Sequence, residues 1–304
     1  MSTIARLLNA WLRTFEKPRM RKGNLKSLRR AIEIQSRLFF RAPRGTRRRW
    51  SVHGGVSCLE IAPRDTPQTA PVLLYIHGGG FLFGSPDTHA AMVARLAMCC
   101  GFRAILPRYR LAPESVFPAA PQDVRAVWDA LISGGIAPDD IILGGDSAGG
   151  ALAFGLVASL SAERAAQPRA VFGFSPLADL TFSGDSFATN AARDVLLPAD
   201  RAAEMAEDFL QGQDATHPSV SPLFGRFDGA PPAWLTVGDT EILLDDSRRL
   251  AARMRDGGVA VTLIEQHDLP HVWPLFHNIL PEARQTLGAL AAWIRQQQGW
   301  EAGS

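Results

Sequence analysis

The stretch Gly144-Gly145-Asp146-Ser147-Ala148-Gly149-Gly150 decides the fold, because it joins two runs of different periodicity. The apolar run 141–143 before it predicts a buried strand, and the small-residue run 151–156 after it predicts a helix. The G-x-S-x-G pattern centred on Ser147 is typical of a serine on a sharp strand-to-helix turn, where glycines allow the backbone to approach closely. Such a turn exposes a hydroxyl group beside the unpaired N–H groups of a helix N-terminus. The sequence therefore predicts a nucleophile and a stabiliser of negative charge on one turn.

Strand-like and helix-like runs alternate along the rest of the chain. An alternation of these lengths predicts an α/β fold, with a mostly parallel sheet and helices on both of its faces. The strand-like runs lie near 71–76, 102–107, 141–145, 170–174, 233–237 and 260–265, and the helix-like runs near 87–100, 119–133, 147–165, 242–256 and 282–297.

The composition is that of an ordinary globular protein. Hydrophobic residues make up 46% and charged residues 20% of the 304 residues, which excludes disordered and collagen-like chains. This length suits one large α/β domain with an appendage. The three cysteines lack a C-x-x-C or zinc-type spacing, and no cleavable signal precedes them, so we expect a cytoplasmic protein without a metal.

The first fifty residues differ from the rest in charge. They carry fifteen Lys or Arg against Glu16 and Glu33, a balance of +13, whereas the whole chain carries only +2. Residues 4–15 and the run that follows Gly23-Asn24 each place apolar residues on one helical face. Basic amphipathic helices bind membrane surfaces or nucleic acid, or they form a lid over a pocket. We favour the lid and expect no nucleic-acid partner and no stable membrane insertion.

These features divide the chain into a body and a helical cap. We expect residues 1–48 to form the N-terminal part of the cap. Residues 187–229, with a helical run near 198–210, are expected to form a cap insertion, and residues 49–186 and 230–304 the catalytic domain. The aromatic residues expected to line the pocket from the cap side are Trp11, Phe15, Phe182, Phe187 and Phe209.

A serine hydroxyl needs a base to accept its proton, and the base needs an acid to orient it. His271 follows the last strand-like run and is the preferred base, with His267 as its competitor. Pro270 makes a helical metal-binding pair of these two histidines unfavourable. The remaining histidines outside the glycine-rich loop described next are interpreted as surface residues: His53, His89, His217 and His277.

The acid should follow the run 233–237. Asp239, Glu241, Asp245 and Asp246 are all available there, and spacing alone does not choose between them.

Directly after the run 71–76 comes His77-Gly78-Gly79-Gly80-Phe81. Three consecutive glycines offer backbone N–H groups that converge on an oxyanion and complement the N–H of Ala148. A phosphate-binding loop would need a Lys-Ser/Thr pair or a G-x-G-x-x-G spacing, and this segment has neither.

Together these segments resemble a known family, the hormone-sensitive-lipase-like branch of the α/β-hydrolase carboxylesterases. The resemblance covers about residues 70–295. It implies an eight-stranded α/β-hydrolase sheet under a helical cap, and hydrolysis of esters with short or medium acyl chains without a cofactor. The motifs that carry it are HGGGF at 77–81, YRLAPE at 109–114, FPAA at 117–120, GDSAGG at 145–150 and PHVW at 270–273.

By position, the resemblance implies Ser147 as nucleophile and His271 as base. The family acid usually opens an Asp-x-Leu-x-Asp segment, which matches 241–245 here with Glu241 in place of the first Asp. The preferred acid is therefore Glu241, and Asp239 and Asp245 remain alternatives. The implied oxyanion donors are Gly79, Gly80 and Ala148, with His77 and Gly78 supporting the loop.

The function expected from these residues is carboxylic ester hydrolysis of a small-molecule substrate through an acyl-enzyme intermediate. The alternatives are an amide or lactone hydrolase on the same catalytic groups, or a receptor on the same scaffold that has lost catalysis. The sequence does not determine the oligomeric state and is compatible with a homodimer.

Overall fold

A twisted eight-stranded sheet forms the centre of the protein. The structure, a computed structural model, describes residues 1–298. In these residues the strand order is β1-β2-β4-β3-β5-β6-β7-β8, with β2 antiparallel to both of its neighbours and the strands from β4 to β8 parallel. The strands are β1 (Thr46–His53), β2 (Val56–Pro63), β3 (Val72–Ile76), β4 (Arg103–Pro107), β5 (Ile141–Asp146), β6 (Ala170–Phe174), β7 (Ala233–Gly238) and β8 (Val261–Gln266).

Helices precede the sheet and connect its strands. The first two are joined by a π-helical turn over Leu12–Glu16, so that α1 runs into α2 without a break, and Gly23 ends α2 before α3. The helices are α1 (Thr3–Trp11), α2 (Lys17–Lys22), α3 (Leu25–Phe39), α4 (Pro86–Cys100), α5 (Ala119–Ser133), α6 (Ser147–Glu163), α7 (Asp185–Thr189), α8 (Ala199–Leu210), α9 (Leu244–Asp256) and α10 (Pro281–Gln298).

The sheet separates two hydrophobic cores, because successive side chains of a strand point to opposite faces. Strand β3 is buried along its whole length: Leu74 packs in the core that contains α5, α6 and α9, and Leu73 packs in the core that contains α4 and α10. Helix α6 is apolar on nearly all sides, which is typical of a helix enclosed by the protein. Its N-terminus is thereby fixed at the carboxyl end of β5.

The expected α/β fold with helices on both faces of a mostly parallel eight-stranded sheet is confirmed. The strand-like and helix-like runs of the body correspond to β3–β8 and to α4, α5, α6, α9 and α10. Before them in the chain, β1 and β2 form an antiparallel hairpin.

Candidate active site

Four loops meet at the carboxyl ends of the parallel strands, where ligands bind in open α/β sheets. Each of these loops carries one of the segments that the sequence singled out. They follow β3 (residues 77–81), β5 (Ser147), β7 (Glu241) and β8 (His271). The loops after β3 and β5 are adjacent because these strands pair directly, with Ile76 opposite Gly145.

Ser147 is held on a strained turn between β5 and α6. Its φ of 50° lies in the left-handed region, which a non-glycine residue adopts at a cost of order 1–3 kcal/mol. A Cβ atom at Gly149 would collide with the carbonyl oxygens of Ile76 and His77. The glycine at this position therefore lets the turn pack against the end of β3 and present the serine to the cavity.

His271 and Glu241 form a buried pair. Their side chains are 6% and 1% exposed, and 2.6 Å separates His271 Nδ1 from Glu241 Oε2. Burial disfavours the charged imidazolium, but the adjacent Glu241 carboxylate outweighs it and raises the pKa of His271 above 6.5. The bond to Nδ1 leaves Nε2 as the ring nitrogen available to the cavity.

Glu241 is held on its other side by two donors. Ser175 Oγ donates to Glu241 Oε1 over 2.8 Å, and the amide of Gly238 donates to the same oxygen over 2.6 Å. Ser175 Oγ in turn accepts the amide of Val272, next to His271. Ser175 thus connects the loops that carry Glu241 and His271, and no motif in the sequence pointed to it.

The competing residues lie elsewhere. Asp239 contacts His267 Nδ1 at 2.7 Å and accepts the amide of Asp268. Asp245 accepts the amide of Ser186. Thus neither alternative acid contacts His271, and the alternative base His267 is an exposed side chain paired with Asp239.

The glycine loop presents unpaired amides. Gly79 and Gly80 have positive φ values of 120° and 58°, and a Cβ at Gly79 would collide with the Phe83 carbonyl. Among residues 1–298, neither amide has an acceptor. Ala148 lies in the first turn of α6, where backbone N–H groups lack intrahelical acceptors.

A buried polar network holds this loop from behind. Asp146 Oδ1 accepts the Gly78 amide at 3.1 Å and the Tyr75 hydroxyl at 2.7 Å, and Asp146 Oδ2 lies 3.3 Å from His89 Nε2. The ring of His77 stacks between the rings of His89 and Tyr109. Burial, followed by the nearby His89, lowers the pKa of His77 to about 3, so this ring is neutral.

The interpretation of His89 and His277 as surface residues is wrong, because both are buried. His89 lies in the first turn of α4. The sequence does not indicate which loop this turn will pack against.

One cavity of about 420 Å³ joins these groups. Its walls include Gly79, Gly80, Ser147 and His271, and the rest is mostly apolar. Among the described residues, Ser147 Oγ has no hydrogen-bond partner, and catalytic hydrogen bonds are often long before substrate binds. Of the five aromatic residues expected to line the pocket, Trp11 and Phe182 do so, whereas Phe15, Phe187 and Phe209 do not. Phe209 instead stacks on Phe81 in the core, and Phe15 is exposed.

A family profile described as the alpha/beta hydrolase fold matches residues 73–275, more than half of the chain and all four active-site loops. The chain belongs to the α/β-hydrolase family. This α/β hydrolase is 37% identical over 236 residues to an acetyl-hydrolase of Streptomyces hygroscopicus, a match that covers 78% of this chain and 79% of the relative.

Two solved structures are similar to this α/β hydrolase over nearly their whole lengths. One is an esterase from the bacterial hormone-sensitive lipase family, with a TM-score of 0.92, 33% identity, and 98% and 99% of the two chains covered. The other is EstE5 from a crystal soaked by p-nitrophenyl butyrate, with a TM-score of 0.92, 34% identity, and 99% and 100% covered. The expected family and enzyme class, a carboxylesterase of the hormone-sensitive-lipase branch, are confirmed.

Residues 1–298 contain neither a membrane-spanning helix nor a cluster of metal-binding side chains. No helix there is both long and apolar enough to cross a bilayer. The same residues contain no group of three or more His, Cys, Asp or Glu side chains arranged to hold a metal ion.

Proposed function

We propose that this esterase hydrolyses esters through an acyl-enzyme on Ser147, with His271 as base and Glu241 as the acid that orients it. The observation that carries the proposal is the 2.6 Å contact between His271 Nδ1 and Glu241 Oε2, because His271 lines the same cavity as the strained Ser147 turn. A carboxylate on Nδ1 keeps the proton there and leaves Nε2 free to accept a proton.

The reaction proceeds in two halves. His271 Nε2 accepts the Ser147 hydroxyl proton as Oγ attacks the ester carbonyl, and the same proton then passes to the leaving alcohol. In the second half, His271 removes a proton from water as the water attacks the acyl-enzyme, and this proton then passes to Ser147 Oγ as the carboxylic acid leaves. The raised pKa of His271, caused by the adjacent Glu241 carboxylate, supports a role of Glu241 in stabilising the imidazolium formed in each half.

The oxyanion of each tetrahedral intermediate would accept hydrogen bonds from the amides of Gly79, Gly80 and Ala148. The unpaired state of the Gly79 and Gly80 amides supports this role, since they need no rearrangement before they bind a developing charge. Asp146, His77 and Gly78 would hold the loop in place through the buried network behind it.

The substrates we propose are small esters with short to medium acyl chains. The names of two similar proteins support short chains: one is an acetyl-hydrolase, and crystals of EstE5 were soaked by a butyrate ester. The mostly apolar cavity walls suit an acyl chain rather than a charged group.

We also propose that residues 1–48 and 187–229 act as the cap over residues 49–186 and 230–304. Side chains of both segments line the cavity, among them Leu12 and Leu28 from the first and Leu197 and Met205 from the second. Lys17 joins the segments, because its Nζ donates to the carbonyls of Ala191 and Asp194.

The experiment that tests the mechanism is the Ser147→Ala variant with p-nitrophenyl acetate and butyrate. We expect kcat/KM to fall roughly 10⁴-fold or more, while circular dichroism and the thermal midpoint stay those of the wild type. Ser159→Ala in the same helix is the matched control and should keep full activity, because Ser159 only bonds the carbonyl of Gly155. A Ser147→Ala variant with near-normal turnover would refute the mechanism.

A further inference from the structure

Helix α1 and the turn after it leave four large apolar side chains exposed, although Leu8 and Leu12 face the cavity. Leu7 and Phe15, which lies in the π-helical turn, are 68% and 57% exposed, and Ile4 and Trp11 of the same stripe are also exposed. The buried residues of this segment are Ala5, Asn9, Leu12 and Glu16. A lid helix that served only to cover the pocket would bury its apolar stripe, so the exposed stripe needs a separate explanation.

Polar contacts explain why the segment docks in this orientation. Asn9 Nδ2 donates to the carbonyl of Asp268 over 2.7 Å, and Glu16 Oε1 accepts from Gln35 of α3 at 2.9 Å. These buried bonds fix which side of α1 faces the protein. The opposite side, with Ile4, Leu7 and Phe15, is left to solvent.

Helix α3 exposes a row in which basic and apolar residues follow one another. Lys26, Arg30, Ile34 and Leu38 are spaced by four residues, so each is a neighbour of the next on the helix surface. All four are exposed, with Leu38 at 64%. Within residues 1–298, Lys26 and Arg30 form no ion pair or hydrogen bond, so their charges remain available.

We name the exposed residues of these two helices the basic apolar patch: Ile4, Leu7, Phe15, Lys26, Arg30, Ile34 and Leu38. None of them lines the cavity. Their neighbours Trp11 and Phe39 line the cavity and are also exposed, so these two side chains border the patch on one side and the cavity on the other.

We propose that the basic apolar patch binds the surface of a membrane that contains anionic lipid. Apolar side chains of an interfacial helix enter the boundary of the acyl chains while nearby Lys and Arg contact lipid phosphates. Lys26 and Arg30, which form no ion pair within residues 1–298, complement such a surface. This binding is peripheral and reversible, and it places the cavity entrance at the lipid.

Charge argues against a second copy of the chain as the occupant. A twofold interface places the same surface of each protomer against the other. Such an interface would bring the unpaired Lys26 and Arg30 of both copies together, and their repulsion opposes it, whereas an anionic surface attracts them.

Vesicle co-sedimentation of the full chain tests the proposal. The probes are vesicles of phosphatidylcholine alone and of phosphatidylcholine with about one third phosphatidylglycerol. We expect partition to the anionic vesicles to be at least about tenfold stronger, and to weaken in roughly 0.5 M salt because the charges are screened. Equal partition to both vesicles, or none, would overturn the proposal.

Two sets of substitutions separate the contribution of the apolar side chains to membrane binding from that of the basic ones. Leu7→Ser with Phe15→Ser and Leu38→Ser should weaken binding to anionic vesicles at least about tenfold, and Lys26→Glu with Arg30→Glu by a similar factor. The matched control is Val52→Ser on β1, where Val52 is 69% exposed outside the patch. The thermal midpoint and the turnover of a water-soluble acetate ester should be unchanged in both patch variants and in Val52→Ser. Failure of membrane binding is therefore distinguishable from failure of the catalytic mechanism.

Sedimentation velocity without lipid tests whether a second copy of the chain, and not lipid, occupies the patch. We expect one molecular mass for the wild type and for the Leu7/Phe15/Leu38 variant. A wild-type dimer that this variant converts to monomer would assign the patch to a second copy, and wild-type vesicle binding by the variant would likewise contradict the proposal.

Discussion

The carboxyl edge of the sheet and the N-terminal helices are built in opposite ways. At the edge, Ser147, His271 and Glu241 are fixed by buried strands, close glycine contacts and hydrogen bonds. The N-terminal helices also make polar contacts, such as those of Asn9 and Lys17, and several of their large apolar side chains face solvent. The difference indicates that the edge is organised for chemistry and the helices for access to it.

The largest effect is expected at the edge, from Glu241→Gln. The amide cannot stabilise the imidazolium, and it favours the wrong tautomer of His271, so kcat/KM should fall roughly 10³- to 10⁴-fold. Asp245→Asn and Asp239→Asn are the matched controls, because neither carboxylate contacts His271. If steady-state kinetics showed the large loss in Asp245→Asn or Asp239→Asn instead, the substituted aspartate would be the acid and Glu241 would not.

The pH dependence of kcat/KM in the same variants tests the pairing of His271 with Glu241, because it should shift in one direction. His271 acts as a base only when neutral, and Glu241 raises its pKa above 6.5, so kcat/KM should rise with pH through that raised value. In Glu241→Gln this limb should move to lower pH, because the charge that favours the imidazolium is gone. A limb that moved upward, or stayed in place, would contradict the pairing.

A smaller effect is expected from His89→Ala, behind the glycine loop. Asp146 would lose its partner and hold Gly78 less firmly, so kcat/KM should fall roughly tenfold, and the free energy of unfolding by about 3 kcal/mol. His53→Ala is the control, since His53 pairs with Glu60 near the surface and should cost less than about 1 kcal/mol.

The pH dependence of that stability loss follows from two opposite shifts. Burial lowers the pKa of His89, but Asp146 raises it more, above 6.5; burial raises the pKa of Asp146, but His89 and the hydrogen bonds lower it, below 3.8. The stabilisation from His89 is complete below 6.5 and is lost as pH rises through its raised pKa, and that from Asp146 is lost as pH falls through its lowered pKa. Denaturant unfolding should show the largest difference from wild type near pH 5. A difference that grows steadily toward alkaline pH would contradict the ion pair.

The smallest effect is expected in the N-terminal helices, from Trp11→Ala. Trp11 lines the cavity, so its removal should change the ratio of kcat/KM for octanoate and acetate esters by less than about tenfold. Leu7→Ala on the same helix does not reach the cavity and should leave the ratio unchanged. A change of ratio in Leu7→Ala that equals that in Trp11→Ala would remove the distinction between the cavity side and the patch side of α1.

The sequence predicted the carboxyl edge of the sheet better than it predicted the N-terminal helices. Strand periodicity and the GDSAGG and HGGGF turns predicted the fold and the loops that meet, because local backbone geometry and burial determine both. Spacing could not choose between Glu241 and Asp245, since the choice depends on which carboxylate reaches a loop thirty residues away. Ser175 and the buried His89 act through long-range contacts that leave no periodic signal. The orientation of α1 involves hydrogen bonds of Asn9 and Glu16 to distant parts of the chain, which periodicity does not contain.

The central claim is that one cavity brings the Ser147 hydroxyl, the His271 ring and the amides of Gly79 and Gly80 together for acyl transfer. The most direct measurement is peptide mapping by mass spectrometry after inactivation with a p-nitrophenyl phosphate triester, alongside the rate of inactivation in His271→Ala. The account predicts one phosphoryl group, on Ser147, and inactivation slowed at least roughly 10³-fold without His271. A modification on another residue, or equally fast labelling of Ser147 without His271, would contradict it.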